Sequence, residues 1–270
     1  MDIGFIGAGK VGVSLGKYLA DHHNLIGYAS RSYSSAQEAA HFTESDAFES
    51  PLDLCRACET IFLTVPDGAI EQVWNELKTA MGVDALKGKN ICHCSGALAS
   101  TALTEAQEYG CFVYSVHPLF AVSSKTRSYA ELHKAFFAVE GSPEHLDDIV
   151  ALIADKGNRV QVIDTDGKVR YHAAAALASN HVVALYRLAC DQLVLCGFSP
   201  AGAESALAPL FLGNAEHVAH DGAVASLTGP AERGDMATIE KHLACLEGDA
   251  HIIYEKLNAI LLELAAEKHA

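Results

Sequence analysis

Along the first 164 or so positions of the chain, short apolar runs rich in β-branched and aromatic residues alternate with stretches whose apolar positions recur at helical spacing. Runs near residues 2 to 6, 24 to 29, 60 to 65, 89 to 94, 112 to 116, 135 to 140 and 159 to 163 predict strands, and Asp46-Ala47-Phe48 predicts a short edge strand. Strand-helix alternation is the signature of a mostly parallel sheet wrapped by helices, because parallel neighbours must be joined by a crossover. After Asp164-Thr165-Asp166-Gly167 the pattern changes. Lys168 to Cys196 is rich in alanine and leucine and holds no Pro or Gly, which predicts one long helix. Gly197 and Pro200 end it, and helical patterns continue over about 201 to 221, 235 to 246 and 249 to 268. The expected fold class is α/β: a mostly parallel N-terminal sheet domain over 1–164, then an all-α domain over 165–270.

The first strand runs into Gly7-Ala8-Gly9-Lys10-Val11-Gly12, which opens a helix extending towards His22. In this G-x-G-x-x-G pattern the first glycine permits the tight turn and the second lets backbone approach a pyrophosphate. The third allows close helix-strand packing, and the helix N-terminus faces negative charge. The motif predicts a dinucleotide site; the alternative is a strand-helix turn without a ligand. At the end of the second strand, where an acidic residue commonly accepts a ribose 2′-hydroxyl, the chain reads Ser30-Arg31-Ser32. An arginine and two hydroxyls suit a 2′-phosphate, so NADP is the expected cofactor. A solvated surface arginine is the other reading. By position in such a sheet, Val65-Pro66-Asp67 and Cys94-Ser95-Gly96 are expected at its nicotinamide and ribose.

Composition narrows the partners. The formal net charge of -15, from 19 basic and 34 acidic side chains, opposes binding to nucleic acid or to an anionic membrane surface. No uninterrupted apolar run approaches membrane-spanning length, and Met1 to Phe5 already read as a strand, so a cytoplasmic protein is expected. Its eight cysteines read as reduced thiols rather than a disulfide framework. Cys55-x-x-Cys58 and Cys92-His93-Cys94 are read as buried and inert, Asn214, His217 and His220 lack a further ligand nearby, and no metal site is expected.

Beyond the cofactor motif, His117 in His117-Pro118-Leu119-Phe120 falls at a strand's carboxyl end, the rim where α/β sheets bind ligands. A histidine there can complete hydride transfer by exchanging a proton; it could equally bond a backbone carbonyl in a proline turn. Lys168 and His172 lie one helical turn apart, and Ser179 returns to that face with Asn180 beside it. The alternative leaves Lys168 in solvent. Leu227 to Asp235, with Thr228 and Arg233, reads as a compact loop that is either structural or substrate-contacting, with Asp235 as an N-cap.

His117-Pro118-Leu119-Phe120, Tyr171-His172 through Ser179-Asn180, and Leu227-Thr228-Gly229-Pro230 with Arg233-Gly234-Asp235 resemble segments of a bacterial family provisionally classed as NADP-dependent oxidoreductases. That family pairs a Rossmann-like domain with a helical domain of unassigned function. More distantly, the order of parts is similar to the 6-phosphogluconate and 3-hydroxyacid dehydrogenase superfamily. The resemblance implies Lys168 as the catalytic lysine that opens the interdomain helix, and a homodimer joined through the helical domains. The superfamily's glycine-rich substrate loop is replaced here by His117-Pro118-Leu119. The expectation is therefore a hydride transfer between NADP(H) and a small polar metabolite, carbonyl or imine, bound between the domains. Lys168 or His117 exchanges the proton, and His172 with Asn180 orients the substrate. A non-catalytic NADP-binding sensor or scaffold is the competing reading, and a deazaflavin hydride partner is a third.

Overall fold

The computed structural model describes all 270 residues, and packing divides them into two compact units, Met1–Ala176 and Leu177–Ala270. The first unit keeps the opening turns of the helix that begins at Lys168. Its elements are β1 (Asp2–Ile6), α1 (Lys10–Leu19), β2 (Asn24–Ala29), α2 (Tyr33–Thr43), β3 (Asp46–Phe48), α3 (Pro51–Ala57), β4 (Thr60–Leu63), α4 (Asp67–Leu86), β5 (Asn90–His93), β6 (Phe112–Leu119), β7 (Phe136–Gly141), α5 (Leu146–Ala154) and β8 (Arg159–Val162). The strands form one eight-stranded sheet in the order β3-β2-β1-β4-β5-β6-β7-β8. Every pairing is parallel except β6 with β7.

Strand periodicity sorts side chains into two cores, one on each face of the sheet. Ile3 and Phe5 of β1, Phe62 of β4, Cys92 of β5, Tyr114 and Val116 of β6 and Phe137 and Val139 of β7 share one core with α1, α2 and α5. Ile6, Ile61, Leu63 and Ile91, one position out of phase, share the other with α3 and α4, where Trp74 is fully buried. Burial on both faces is why these strands read as near-continuous apolar runs.

Two expectations are corrected here. β6 does not stop at Val116: it continues to Leu119, with His117 opposite Ala138 on β7. Pairing with β5 ends at Ser115, so Pro118 falls where only one neighbouring strand remains. The predicted helix from Lys168 to Cys196 is also two helices, α6 (Lys168–Ala178) and α7 (Asn180–Leu195), parted at Ser179 with φ -125° and ψ -82°. Serine and asparagine side chains compete for backbone hydrogen bonds, and adjacent Ser179 and Asn180 bond each other at 3.1 Å.

The second unit continues with α8 (Pro200–Ser226), non-helical at Gly222, then α9 (Met236–Cys245) and α10 (Gly248–Lys268). Asp235 caps α9 by accepting from the Thr238 amide. The stretch Thr165–Leu195, though interrupted by polar residues, is long and apolar enough by composition to cross a membrane. Its helices of 11 and 16 residues each fall short of the ~20 that a crossing requires.

Candidate active site

The carboxyl ends of β1 to β4 frame a cleft of about 780 Å³ at the point where strand order reverses on either side of β1. Gly7, Ala8, Gly9, Ser30, Arg31, Val65 and Pro66 all line it. Its glycines differ in purpose. Gly7 has φ +115°, and a Cβ there would lie 2.5 Å from the Thr64 carbonyl oxygen; on Gly12 it would lie 2.3 Å from Thr64 Oγ1 and 2.4 Å from the Gly7 oxygen. These two are glycine because protein fills the space. A Cβ on Gly9 would meet nothing nearer than 3.8 Å, so its backbone is left bare towards the cleft. Gly9 is also the N-cap of α1, and no side chain caps that terminus. Bare backbone at an uncapped ten-residue helix is a fitting cradle for a pyrophosphate.

Other expected cofactor residues lie elsewhere. Lys10 is exposed at the first position of α1, Val11 and Gly12 are inside the helix, and Ser32 precedes α2 with its hydroxyl 2.7 Å from that of Ser34. Glu49, unforeseen from sequence, lines the same cleft as Arg31 because β3 brings it alongside the end of β2.

Ser95 and Gly96 belong to a second cluster, built on one face of the sheet. His93 of β5 pairs with Ser115 of β6, and Ser115 with Glu140 of β7. His117, two positions on, points the same way. The Lys168 side chain, 1% exposed, donates to Ser115 Oγ at 2.5 Å; Ser115 Oγ donates to the Ser95 carbonyl at 3.3 Å. Ser95 Oγ in turn donates to Asp67 at 2.7 Å and accepts from the amides of Ala97 and Leu98. His93 Nδ1 accepts from the Ser95 amide while Nε2 faces the Ala99 carbonyl, which fixes the Nε2–H tautomer. Asp67 directly follows Pro66, so its bond to Ser95 joins the rim of the glycine cleft to this cluster.

His117 meets no backbone carbonyl; its Nδ1 lies 2.7 Å from the Tyr171 hydroxyl. A Cβ on Gly96 would sit 2.9 Å from His117 Nε2 and 2.6 Å from His172 Cδ2, so bare backbone brings both rings against this loop. Asn180 opens α7 in the second unit.

Burial sets the electrostatics. It pushes His117 down to about 4, helped by the positive charges of Lys168 and His172. Burial also lowers Lys168, against the opposing pull of Glu140, Cys94 and Asp67, and it raises the Tyr171 phenol to about 12. The Cys94 thiol rises to about 12 for the same reason and is inert at neutral pH. All eight cysteines are free thiols, and no group of three or more His, Cys, Asp or Glu side chains is placed to hold a metal ion. At neutral pH the cluster thus sets a neutral imidazole and an enclosed lysine around the buried Ser95–Gly96 loop.

Residues 1–118 match the Rossmann-like domain family, and residues 135–260 match a domain of unknown function, DUF2520. No curated protein matches the chain significantly. Among solved structures, a Thermotoga maritima protein superposes with a TM-score of 0.79 at 25% identity, covering 99% of this chain and 100% of the other. A Bacteroides fragilis protein provisionally described as an NADP oxidoreductase gives 0.70 at 21%, covering 97% and 98%. Plasmodium falciparum pyrroline carboxylate reductase, solved with NADP bound, gives 0.61 at 17%, covering 99% and 96%.

Proposed function

The chain belongs to the proteins that join a Rossmann-like domain to a DUF2520 domain, and from that premise we propose that it is an NADP-dependent oxidoreductase acting on a small polar carbonyl or imine compound. The carrying observation is the Asp67–Ser95 hydrogen bond, which couples a dinucleotide-type cradle to a loop flanked by His117, His172 and Lys168. The NADP-bound pyrroline carboxylate reductase and the B. fragilis protein support the reading by fold. Bound in the cleft, NADPH would supply the hydride.

Gly7, Gly9 and the start of α1 would hold the pyrophosphate, and Ser30 with Arg31 the 2′-phosphate. On the substrate side, His117 Nδ1 is hydrogen-bonded to the Tyr171 hydroxyl, and the reading takes Tyr171 as the donor, which leaves the ring proton on Nε2, the nitrogen beside Gly96. A neutral imidazole so oriented donates to a substrate oxygen or nitrogen as negative charge builds there. Lys168 adds positive potential from behind and, through Ser115, steadies the Ser95 carbonyl. His172 orients the substrate at the loop's other side.

The test has two arms. NADPH should bind more tightly than NADH by about an order of magnitude in a fluorescence titration, and equal affinities would remove the NADP half of the reading. In a metabolite panel scored by NADPH oxidation, Lys168→Ala should abolish turnover while leaving NADPH affinity intact. Unchanged turnover in that variant rejects Lys168 as a participant.

A further inference from the structure

The sheet face that presents His93, Ser115 and His117 carries another buried polar side chain, Glu140. It lies on β7 directly across from Ser115, is 1% exposed, and interrupts an otherwise apolar strand, Phe136-Phe137-Ala138-Val139-Glu140-Gly141. A buried carboxylate is costly unless its oxygens are satisfied. Here Oε1 accepts from the Ser100 amide at 2.6 Å, and Oε2 accepts from Ser100 Oγ at 2.8 Å and Thr165 Oγ1 at 3.0 Å. Ser100 belongs to the turn that follows the Ser95–Gly96 loop; Thr165 opens the turn that delivers Lys168. One carboxylate thus fastens both segments that meet at the site, and it does so beside a fully buried lysine whose own hydrogen bond goes to a hydroxyl.

We propose that Glu140 is a positioning residue that acts through Lys168: clamped by Ser100 and Thr165, it holds a fixed negative charge against the lysine and thereby keeps Lys168 charged in its buried position. This rests on the reading of Lys168 as part of the reaction site. A strand that merely needed filling would carry an apolar residue here, because a buried charge is seldom worth more than well-packed hydrocarbon for stability alone. The other groups that act on the lysine come from every side. Asp67 of α4 and Cys94 after β5 favour its charge in the same sense as Glu140. His93 of β5 and His117 of β6 are the cationic-capable groups coupled to it, and Tyr171 on its own helix turns its ring 5.4 Å from Nζ. Of the carboxylates, Glu140 is the buried one, where screening by water is weakest.

Lysine titration by NMR, with ¹³Cε-labelled lysine and the Lys168 signal assigned by its loss in Lys168→Met, reads the effect without any assay of turnover. In Glu140→Gln, which keeps the shape and loses the charge, the Lys168 titration should move to lower pH by about one unit. Glu140→Asp, which keeps the charge but withdraws it by one methylene, should titrate between the two and provides a second test should the glutamine variant fold poorly. Thermal unfolding of each variant separates the clamp from the charge, since loss of the clamp alone lowers stability without moving the Lys168 titration. A Lys168 titration that is the same in wild type and both variants overturns the proposal. If the titration moves as stated while Lys168→Ala keeps full turnover, the electrostatic role of Glu140 holds and the catalytic assignment of Lys168 is what fails.

Discussion

Gly9 and Gly12 stand three positions apart in one motif and are glycine for opposite reasons. A Cβ at Gly12 collides with Thr64 and with the Gly7 carbonyl, whereas one at Gly9 projects towards open cleft. Gly12→Ala should therefore cost about 2 kcal/mol of stability by overpacking, seen in urea unfolding. Gly9→Ala should leave the unfolding curve nearly unchanged yet raise the Kd for NADPH by about tenfold, because the added methyl occupies the approach to the backbone. Identical NADPH affinity in Gly9→Ala and wild type would mean that the cradle is not used. This motif was legible in sequence because a backbone requirement writes itself into consecutive residues. Ser115 and Glu140 were not, since their meaning comes from lying opposite each other across an antiparallel pair. The single visible sign was a glutamate inside an apolar strand. Glu49 was hidden for a similar reason: a three-residue edge strand carries it to the cleft.

At the scale of elements, apolar periodicity located the strands because each buries both faces, and it missed what depends on where a neighbour ends. Nothing within His117-Pro118-Leu119 announces that β6 outlasts β5, so a proline read as a strand's end sits inside one. That extension matters, because it carries His117 into packed surroundings rather than onto an exposed rim. Burial depresses its pKa from 6.5 to about 4. The folded chain therefore keeps this imidazole neutral over a range where the unfolded chain has protonated it, and its contribution to stability is present above pH about 6.5 and lost as pH falls towards about 4. His23 and His93, both also lowered by burial, act in the same direction. Denaturant unfolding across that window should show stability falling with acidification, and His117→Asn should flatten the fall. An equally steep loss in the variant would show that His117 does not titrate between the two states.

At the scale of the whole molecule, the two units differ in how they use their apolar residues. The sheet unit buries two continuous cores. The helical unit encloses few hydrophobic side chains, among them Cys190, Ala203 and Ile239, while fourteen of the nineteen exposed large hydrophobic side chains lie between Leu177 and Ile260. Leu210, Phe211 and Leu212 are exposed in succession on α8, at 70, 42 and 59%, so apolar surface extends around that helix rather than along one stripe. A helix apolar on all sides belongs in an interior, and a patch of this kind on an otherwise charged protein marks an interaction surface. A second copy of the chain is the occupant proposed, as the family resemblance implies, and a self-complementary helical face is a common way to close a two-fold dimer. Light scattering coupled to size exclusion should then give twice the chain's 28.7 kDa. Leu210→Asp, which sets a charge in the centre of the apolar run, should yield the monomer mass while the sheet unit keeps its NADPH affinity. A wild-type mass of 28.7 kDa that holds as concentration rises would leave the helical unit without this partner, and its apolar surface would then require a different protein.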